Sequence, residues 1–418
     1  MLSEHFSPGG HAPEDIQPES VLIIGGGVAG MHAALNLAAL DVPTLLVERS
    51  AHLGGMVMRL DKVYPTDHCA FCPTWSTARQ CIASPRVRVL LHTEVTGVKA
   101  HGEGLVAELR RHNPAVSPSR CLFCGACRGV CPHKALLERD PVTGWDPALP
   151  PVMYLDTARC DRCGKCVQAC PVQAIDLDAG ESAFSVPVAD VIHATGFEEP
   201  QPGDARHAPE FGAGSHPDIF TAMEFEAWHA ESRGSGALRT RSSGAPVRRV
   251  ALIQCAGARD RRHLPYCAAV CCMHAMKQAR WLKRRQPELE VTLFYTDLRA
   301  PGAAQEGYMM AGIEEGVRLV RSRPGLVMAA EGGGVGVRYE APDTGQPVGA
   351  LFDIVVVNGG LGQCPLPGLA SGVPAGQLPA LKCGFCHEPA DVAASVIQGA
   401  AVAVSAAIRR RLARGGAA

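Results

Sequence analysis

Apolar and polar residues alternate along the chain in strand-like and helix-like runs. Residues 21–30, VLIIGGGVAG, form a short apolar run that ends in a glycine turn, and MHAALNLAAL and VPTLLVERS then fit a helix and a second strand. A similar stretch starts at 247, with a helix near 272–285 and a last strand in LFDIVVVNGG. The pattern predicts an α/β protein, and the alternating residues at 85–116 predict hairpin strands beside the first unit.

The middle of the chain interrupts this pattern, because residues 119–183 are rich in Cys and broken by Pro. We therefore expect an inserted module inside the first dinucleotide-binding domain. The predicted units are a disordered tail (1–19), the first part of that domain (20–118), the insert (119–183), the domain's second part with a linker (184–246), a second Rossmann-like domain (247–349) and the first domain's C-terminal part (350–418).

The C-terminal residues ADVAASVIQGAAVAVSAAIRRR predict a long helix that is apolar enough to suggest a membrane span. Asp391, Gln398 and Gly399 interrupt it, and Ala rather than Leu dominates. We therefore expect this helix to pack on protein.

Composition narrows the function classes. The chain has 418 residues and a net charge of −1, which argues against nucleic acid as a partner. The polar N-terminus lacks the apolar core of a signal peptide, so we expect a cytoplasmic protein, with membrane association only through partner subunits. Disulfides are rare in that compartment, so the 18 Cys indicate metal binding.

A G-x-G-x-x-G motif follows the first strand. Gly25 makes the tight turn, Gly27 lets a pyrophosphate approach the backbone, and Gly30 lets helix and strand pack closely. Glu48 ends the second strand, where a ribose-binding carboxylate belongs. Because strand, helix and acid are all in place, the sequence predicts dinucleotide binding.

Two further segments favour FAD over NAD. LGGM, with Gly55, and ATGF, with Thr195 and Gly196, look like the FAD-binding half of flavoproteins with two dinucleotide-binding domains. The turn of the second Rossmann-like domain reads CAGARD and lacks the three glycines that an NAD(P) pyrophosphate needs. This argues against NAD(P)H as the electron donor.

The insert contains two C-x2-C-x2-C-x3-C-P runs, the spacing of bacterial ferredoxins with two [4Fe–4S] clusters. In such runs the fourth Cys ligates the other cluster. The spacing therefore assigns one cluster to Cys121, Cys124, Cys127 and Cys170, and the second to Cys160, Cys163, Cys166 and Cys131. Zinc is the competing interpretation of C-x2-C pairs, but two such runs that each end in Pro fit zinc poorly.

Ten Cys lie outside the insert. Cys81 and Cys364 are interpreted as small buried hydrophobes. The remaining eight are predicted to lie on loops near the flavin or the domain interface: Cys69, Cys72, Cys255, Cys267, Cys271, Cys272, Cys383 and Cys386. Three roles stay open for these eight: a third cluster, a redox-active disulfide or a thiol switch. The redox candidates are Cys255, Cys267, Cys271 and Cys272, and the candidates for a third site are Cys69, Cys72, Cys383 and Cys386.

The chain resembles the A subunit of heterodisulfide reductase, and more closely the A subunit of the quinone-interacting membrane-bound oxidoreductase complex. Similar segments span about 20 to 405: VLIIGGGVAG, CAFC, the inserted ferredoxin, ATGF, IQCAGARD, HLPYCAAVCCMHAMKQA, FYTDLRAPG, EEGVRLVRSRP and CGFCHEPADVAASV. The insert departs from the quinone-interacting subunit, where fewer than two complete four-Cys runs are expected.

The resemblance implies an α/β flavoprotein of the two-dinucleotide-domain type with an inserted two-cluster ferredoxin. It also implies electron transfer among FAD, iron–sulfur clusters and partner subunits, including a membrane quinone-reactive subunit, in sulfur or anaerobic energy metabolism. Two alternatives stay open: a stand-alone NAD(P)H-dependent flavin reductase with a ferredoxin adaptor, and a thiol redox-sensing protein.

Overall fold

The computed structural model describes residues 16–101, 104–112, 114–117, 120–137, 152–201, 204–232, 236–365 and 380–415. Most of the predicted tail (1–15) and the predicted boundary at 118/119 lie outside these residues. Ile16 is already buried against the first domain. Residues 16–19 are therefore part of the folded unit, which starts earlier than the sequence predicts.

Short strands dominate the fold, with helices between them. In chain order the strands are β1 (Val21–Ile24), β2 (Thr44–Val47), β3 (Lys62–Val63), β4 (His68–Cys69), β5 (Val87–Leu90), β6 (Thr93–His101), β7 (Gly104–His112), β8 (Leu136–Leu137), β9 (Tyr154–Leu155), β10 (Glu181–Val188), β11 (Asp190–His193), β12 (Phe197–Glu198), β13 (Ile219–Thr221), β14 (Arg249–Ile253), β15 (Gly257–Leu264), β16 (Glu290–Phe294), β17 (Arg318–Val320), β18 (Leu326–Ala329), β19 (Val335–Glu340), β20 (Pro347–Phe352), β21 (Ile354–Val357), β22 (Gly362–Gln363) and β23 (Leu381–Lys382). The helices are α1 (Val28–Ala39), α2 (Phe71–Ala83), α3 (Ala126–Val130), α4 (Lys165–Ala169), α5 (Ala222–Glu231), α6 (Cys271–Arg285), α7 (Ala303–Glu314) and α8 (Val392–Gly415).

The first domain is built on a parallel sheet in the order β23-β11-β1-β2-β5. All four residues of β1 and of β2 are buried, as expected for parallel strands covered on both faces. Helices α1 and α8 pack on one face, and the antiparallel strands β10-β7-β6 cover the other. The predicted hairpin is β6–β7, whereas β5 joins the parallel sheet.

Helix α8 approaches α1 very closely along one face. A Cβ added at Gly399 would lie 2.4 Å from the carbonyl oxygen of Ala29, so only glycine fits at this crossing. Val402, Ala403 and Ala406 belong to the same core. The expectation that this helix packs on protein therefore holds for one of its faces.

The second domain contains a parallel sheet in the order β13-β21-β14-β16-β17 and a meander of β18, β19 and β20. Strand β13 and helix α5 precede residue 247, and β21 follows residue 349. The structure thus corrects both predicted boundaries of this domain. Strand order depends on pairing between distant segments, such as Ile219 with Val355, which the local pattern does not encode.

The insert folds as two similar halves around a common core. Each half has a short helix, α3 or α4, preceded by a glycine with φ of 75°. The antiparallel pairing of β8 with β9 links the halves. Cys127 and Cys166 lie in this core, and four more ligand candidates pack around it: Cys121, Cys131, Cys160 and Cys170.

Candidate functional site

The glycine motif forms the predicted loop between β1 and α1. Gly25 has a φ of 109°, which favours glycine. A Cβ at Gly30 would lie 1.9 Å from the carbonyl oxygen of Gly25, so this position requires close backbone packing. A Cβ at Gly27 would instead meet only the Cα of Gly55, at 3.9 Å. The loop is therefore tight where it packs and open in front of the α1 N-terminus, where phosphate groups bind.

Glu48 lies beside this loop at the end of β2. It is buried, and its Oε2 accepts a hydrogen bond of 2.7 Å from the backbone N–H of Gly26. Its Oε1 accepts another of 2.8 Å from the N–H of Ser50. These two bonds hold the carboxylate at the edge of the glycine loop, as a ribose contact requires.

Thr195 and Gly196 complete the cradle from β11. The Thr195 hydroxyl is buried without a hydrogen-bond partner among the described residues. Gly196 has a φ of 73°, and a Cβ there would meet nothing within 4 Å. A free buried hydroxyl and two open glycine positions fit a bound dinucleotide. Gly55, with a φ of 58°, lies across from Gly27 and belongs to the same cradle.

Electrostatic contacts link the two buried thiols of the insert to thiols of both Cys runs. Burial and the nearby thiols of Cys121 and Cys170 raise the pKa of Cys127 to about 11. Burial and the thiols of Cys160 and Cys131 raise the pKa of Cys166. The fourth Cys of each run thus lies beside the other run. This arrangement suits two sites with four thiolates each, and it does not suit a pair of mononuclear zinc sites formed by the separate runs.

The two halves repeat the same turns along the chain. The Sγ of Cys131 accepts a 3.2 Å hydrogen bond from Ala135 N–H, and Cys170 accepts an equal bond from Ala174 N–H. A Cβ at Gly125 would meet nothing within 4 Å, and the same holds at the equivalent glycine before α4. Each loop therefore has open space and directs backbone N–H groups at sulfur. Both features fit a [4Fe–4S] cluster.

The candidate thiols of the second domain also converge, at the carboxyl end of β14. Cys255 follows that strand, and Cys271 and Cys272 start α6. Burial raises the pKa of Cys272 to about 11, with Cys255 and Cys267 adding to the effect. After β14 the chain enters β15 instead of a helix, so this turn has no phosphate-binding helix N-terminus.

The other third-site candidates lie in two different environments. Cys69 and Cys72 are exposed before and within the first turn of α2, with their sulfurs 3.5 Å apart. Cys383 and Cys386 are buried, and the Cys386 thiol donates to the carbonyl of His193. The structure therefore presents two separate Cys pairs, and their role as a third site stays a prediction.

The two remaining Cys, Cys81 and Cys364, are buried. Burial raises the pKa of Cys81 to about 12 and also raises that of Cys364. Neutral buried thiols agree with the hydrophobic role expected for both.

A cavity of about 410 Å³ lies between the β3–β4 hairpin and helices α5 and α6. Lys277 donates to Glu226, 2.6 Å away, and to the backbone carbonyl of Lys62, and His274 lies 3.1 Å from Glu226. Burial acts to raise the pKa of Glu226, but Lys277 and His274 hold it below the ordinary value. The buried pair thus bridges the two domains beside the cavity.

Sequence reasoning missed these bridging residues. The signal present was the spacing of His274, Lys277 and Gln278, which puts three polar side chains on one face of α6. Nothing local indicates that their partner is Glu226 on α5, 51 residues from Lys277.

Glu199 is a second buried carboxyl between the domains. It is 8% exposed and accepts hydrogen bonds from the Thr221 hydroxyl (2.6 Å) and the Met223 N–H (3.3 Å). Desolvation raises its pKa to about 7. Its charge in turn acts on Cys271, so this carboxyl and the second-domain thiols are electrostatically linked.

The flavin cradle and the insert touch directly. Ala51, three residues after Glu48, is buried in the hydrophobic cluster that contains Cys127 and Cys166. The loop that follows the dinucleotide-binding strand therefore forms part of the wall of the cluster module.

Family comparisons agree with both sites. A model of the FAD dependent oxidoreductase family matches residues 20–67, and one of the 4Fe-4S binding domain matches 114–137 and 153–176. The A subunit of the ferredoxin/F(420)H(2)-dependent CoB-CoM heterodisulfide reductase of Methanosarcina acetivorans is 32% identical over 352 residues, 82% of this chain and 44% of that protein. The iron-sulfur A subunit of the CoB–CoM heterodisulfide reductase of Methanocaldococcus jannaschii is 33% identical over 83% of this chain and 54% of that protein.

The chain is a homologue of the heterodisulfide reductase A subunit. Another such protein, from Methanopyrus kandleri, is 31% identical over 93% of this chain and 64% of its own length. The chain thus spans about half the length of the curated relatives it matches first. The matches confirm the predicted class, an oxidoreductase with FAD and two [4Fe–4S] clusters as cofactors.

Solved structures support the fold. The Lactococcus lactis thioredoxin reductase structure superposes with a TM-score of 0.51 at 17% sequence identity, covering 93% of this chain and 97% of that one. This likeness confirms the predicted architecture with two dinucleotide-binding domains. At this identity it concerns the fold and not the function.

Proposed function

We propose that this chain is an electron-transfer subunit that exchanges electrons between FAD, two [4Fe–4S] clusters and partner subunits of a multi-subunit redox complex. The observation that carries the proposal is the burial of Ala51 among the cluster-binding residues. This contact places the ribose-binding end of the flavin cradle against the cluster module.

The chain's own residues bind and enclose the cofactors. Flavin supplies two-electron chemistry and the clusters supply one-electron transfer when they are bound. Gly27 leaves room for phosphates, Glu48 fixes a ribose contact, and the buried Thr195 hydroxyl offers a hydrogen bond. The Lys277–Glu226 pair holds the second domain against the hairpin after Gly55 and fixes a cation beside the interdomain cavity.

A third redox centre at Cys255, Cys267, Cys271 and Cys272 is part of the proposal. Four converging thiols provide the donor set for an iron–sulfur cluster. The site occupies the position where NAD(P) would meet a helix N-terminus in a nucleotide-binding domain. Electrons therefore enter this chain from protein partners, and the stand-alone NAD(P)H reductase is disfavoured.

The complex itself is proposed from the homology. Curated relatives are named as subunits of ferredoxin-, F(420)H(2)- or H(2)-dependent heterodisulfide reductases. We infer other redox subunits as partners, among them a quinone-reactive membrane subunit, in sulfur or anaerobic energy metabolism. A cytoplasmic location with membrane association through those partners follows from the same reasoning.

A thiol-based function is the second candidate, and the Cys69–Cys72 pair favours it. Both thiols are exposed, and their sulfurs are 3.5 Å apart at the start of a helix. Desolvation acts to raise the pKa of Cys69, but hydrogen bonds from the backbone and thiol of Cys72 lower it. Exposed C-x2-C pairs in this setting undergo thiol–disulfide exchange.

Electron exchange across the Ala51 contact tests the electron-transfer proposal. Ala51→Glu buries a charge between the flavin cradle and the cluster module, so we expect slower electron exchange at unchanged iron and flavin content. The measurement is stopped-flow absorbance after mixing anaerobically reduced protein with an oxidant that reacts only with clusters. Arg49→Glu, at an exposed residue of the same loop, is the matched control and should keep the wild-type rate. Equal rates in wild type and Ala51→Glu would contradict this route.

A further inference from the structure

Two buried amide side chains lie side by side at the carboxyl end of the second domain's parallel sheet. Gln254 directly follows β14, and Asn358 directly follows the neighbouring strand β21. The register pairs Ile253 with Val357 in the last row, so the two amide residues come next on adjacent strands. Gln254 is 1% exposed and Asn358 is 3% exposed. Both side chains are therefore excluded from bulk water.

Neither amide is satisfied by its surroundings. The side-chain nitrogen and oxygen of Gln254 and the side-chain nitrogen of Asn358 have no hydrogen-bond partner among the described residues. Leaving a buried polar group unpaired is costly, and native proteins satisfy nearly all such groups with protein, water or a ligand. Three unpaired polar atoms on adjacent strands therefore indicate that a bound group lies next to them.

The two amides lie on the sheet face that packs against α6. The residues two and four positions before Gln254 belong to the hydrophobic cluster that contains Cys272, and the residues between them pack on the opposite face. The same alternation along β21 places Asn358 on the α6 face. The Cys272 thiol donates to the carbonyl of Asp297, just beyond the carboxyl end of β16. The start of α6, with its two thiols, thus lies at the same end of the sheet as the amides.

The turn that carries Cys255 is fixed to both amide residues. Cys255 directly follows Gln254 and has a φ of 57°, which is uncommon for a residue other than glycine. The backbone N–H of Ala256 donates a 3.0 Å hydrogen bond to the carbonyl oxygen of Asn358. Because these bonds are local, a group held by the thiols at this end of β14 meets the two amides.

We propose that the side-chain amides of Gln254 and Asn358 donate hydrogen bonds to sulfur atoms of an iron–sulfur cluster held by the four thiols at the carboxyl end of β14, and that they raise its reduction potential. The inference rests on the third redox centre proposed above. Reduction adds one negative charge to a cluster, so N–H groups directed at its sulfur atoms favour the reduced form. The burial of both amides strengthens this effect because water does not compete for the donors.

Potentiometric titration of the anaerobic holoprotein, followed by EPR, tests the proposal. The signal that Cys267→Ser removes, together with about four iron per chain, identifies the cluster. Gln254→Met and Asn358→Leu each remove a donor and retain a buried apolar side chain. At a fixed solution potential, each substitution should lower the ratio of reduced to oxidised cluster about tenfold, which corresponds to about 59 mV for one electron. In wild type labelled with ¹⁵N at the side-chain amides of Asn and Gln, pulsed EPR should detect ¹⁵N coupling to this cluster.

Controls separate the effect on potential from damage to the fold. Thr292→Val, at a buried position that pairs with Ala251 on the opposite face of the same sheet, is the matched control and should keep the wild-type potential. Iron and flavin content should stay unchanged in both amide variants. An unshifted potential at full iron content, or wild type without ¹⁵N coupling, would overturn the inference and leave the third centre in place. About eight iron per chain and no signal that depends on Cys267 would overturn the third centre and the inference together.

Discussion

Glu199 should make the stability of this protein pH-dependent. Its carboxyl is buried between the domains, and its two hydrogen bonds from Thr221 and Met223 do not offset the loss of hydration. Desolvation raises its pKa from the ordinary 4.5 to about 7. We expect Glu199→Gln, which removes the titration, to flatten the pH dependence of folding.

The direction and size of this pH effect on stability follow from the difference in the pKa of Glu199 between the folded and unfolded states. Below pH 4.5 the Glu199 carboxyl is protonated in both the folded and the unfolded protein, so its contribution to the free energy of unfolding is fully present. Between pH 4.5 and 7 the unfolded chain loses the proton while the folded protein keeps it, so stability falls as pH rises. The two pKa values differ by about 2.5, which corresponds to a total loss of about 3 kcal/mol above pH 7.

Thermal unfolding of anaerobic holoprotein at pH 5, 6, 7 and 8 measures this effect. Wild type should lose several degrees more in Tm between pH 5 and 8 than Glu199→Gln does. Glu290→Gln, at an exposed carboxylate on β16, is the matched control and should follow wild type. Equal Tm differences in wild type and Glu199→Gln would refute the assignment of this titration to Glu199.

Two further predictions separate the roles of neighbouring residues. Gly27→Ala should keep the fold but lower FAD affinity at least tenfold, because the added methyl group points into the open space where the phosphates bind. Gly30→Ala should instead destabilise the protein by about 1–3 kcal/mol, because its methyl group would lie 1.9 Å from a carbonyl oxygen. Flavin content and Tm distinguish the two variants, and equal Tm losses would contradict this reasoning. Cys127→Ser/Cys170→Ser should lose about four iron per chain and Cys166→Ser/Cys170→Ser about eight, since the first pair serves one cluster and the second pair serves both. Iron analysis showing equal losses would argue against crossed ligation.

The spacing of residues along the chain predicts the cofactor-binding loops, because the requirement for each residue type there comes from its near neighbours in sequence. Gly25 needs its positive φ, and Gly30 needs contact with a carbonyl five residues earlier. The Cys runs likewise encode the repeated turns within a few residues. Features of this kind can be inferred without knowing the rest of the fold.

Contacts between distant segments could not be predicted in this way. Strand β13 pairs with β21, and Lys277 pairs with Glu226, across long stretches of sequence. The burial of Ala51 against the insert also depends on how two modules dock. The composition of α8 indicated a helix packed on protein, but only the structure shows that one face is packed and the other is exposed.

Anaerobic iron and flavin analysis of the purified protein tests the central claim most directly. The account predicts one FAD and about eight iron per chain from the insert, and about twelve iron when the four thiols at β14 also hold a cluster. Two zinc ions without iron would contradict the electron-transfer function.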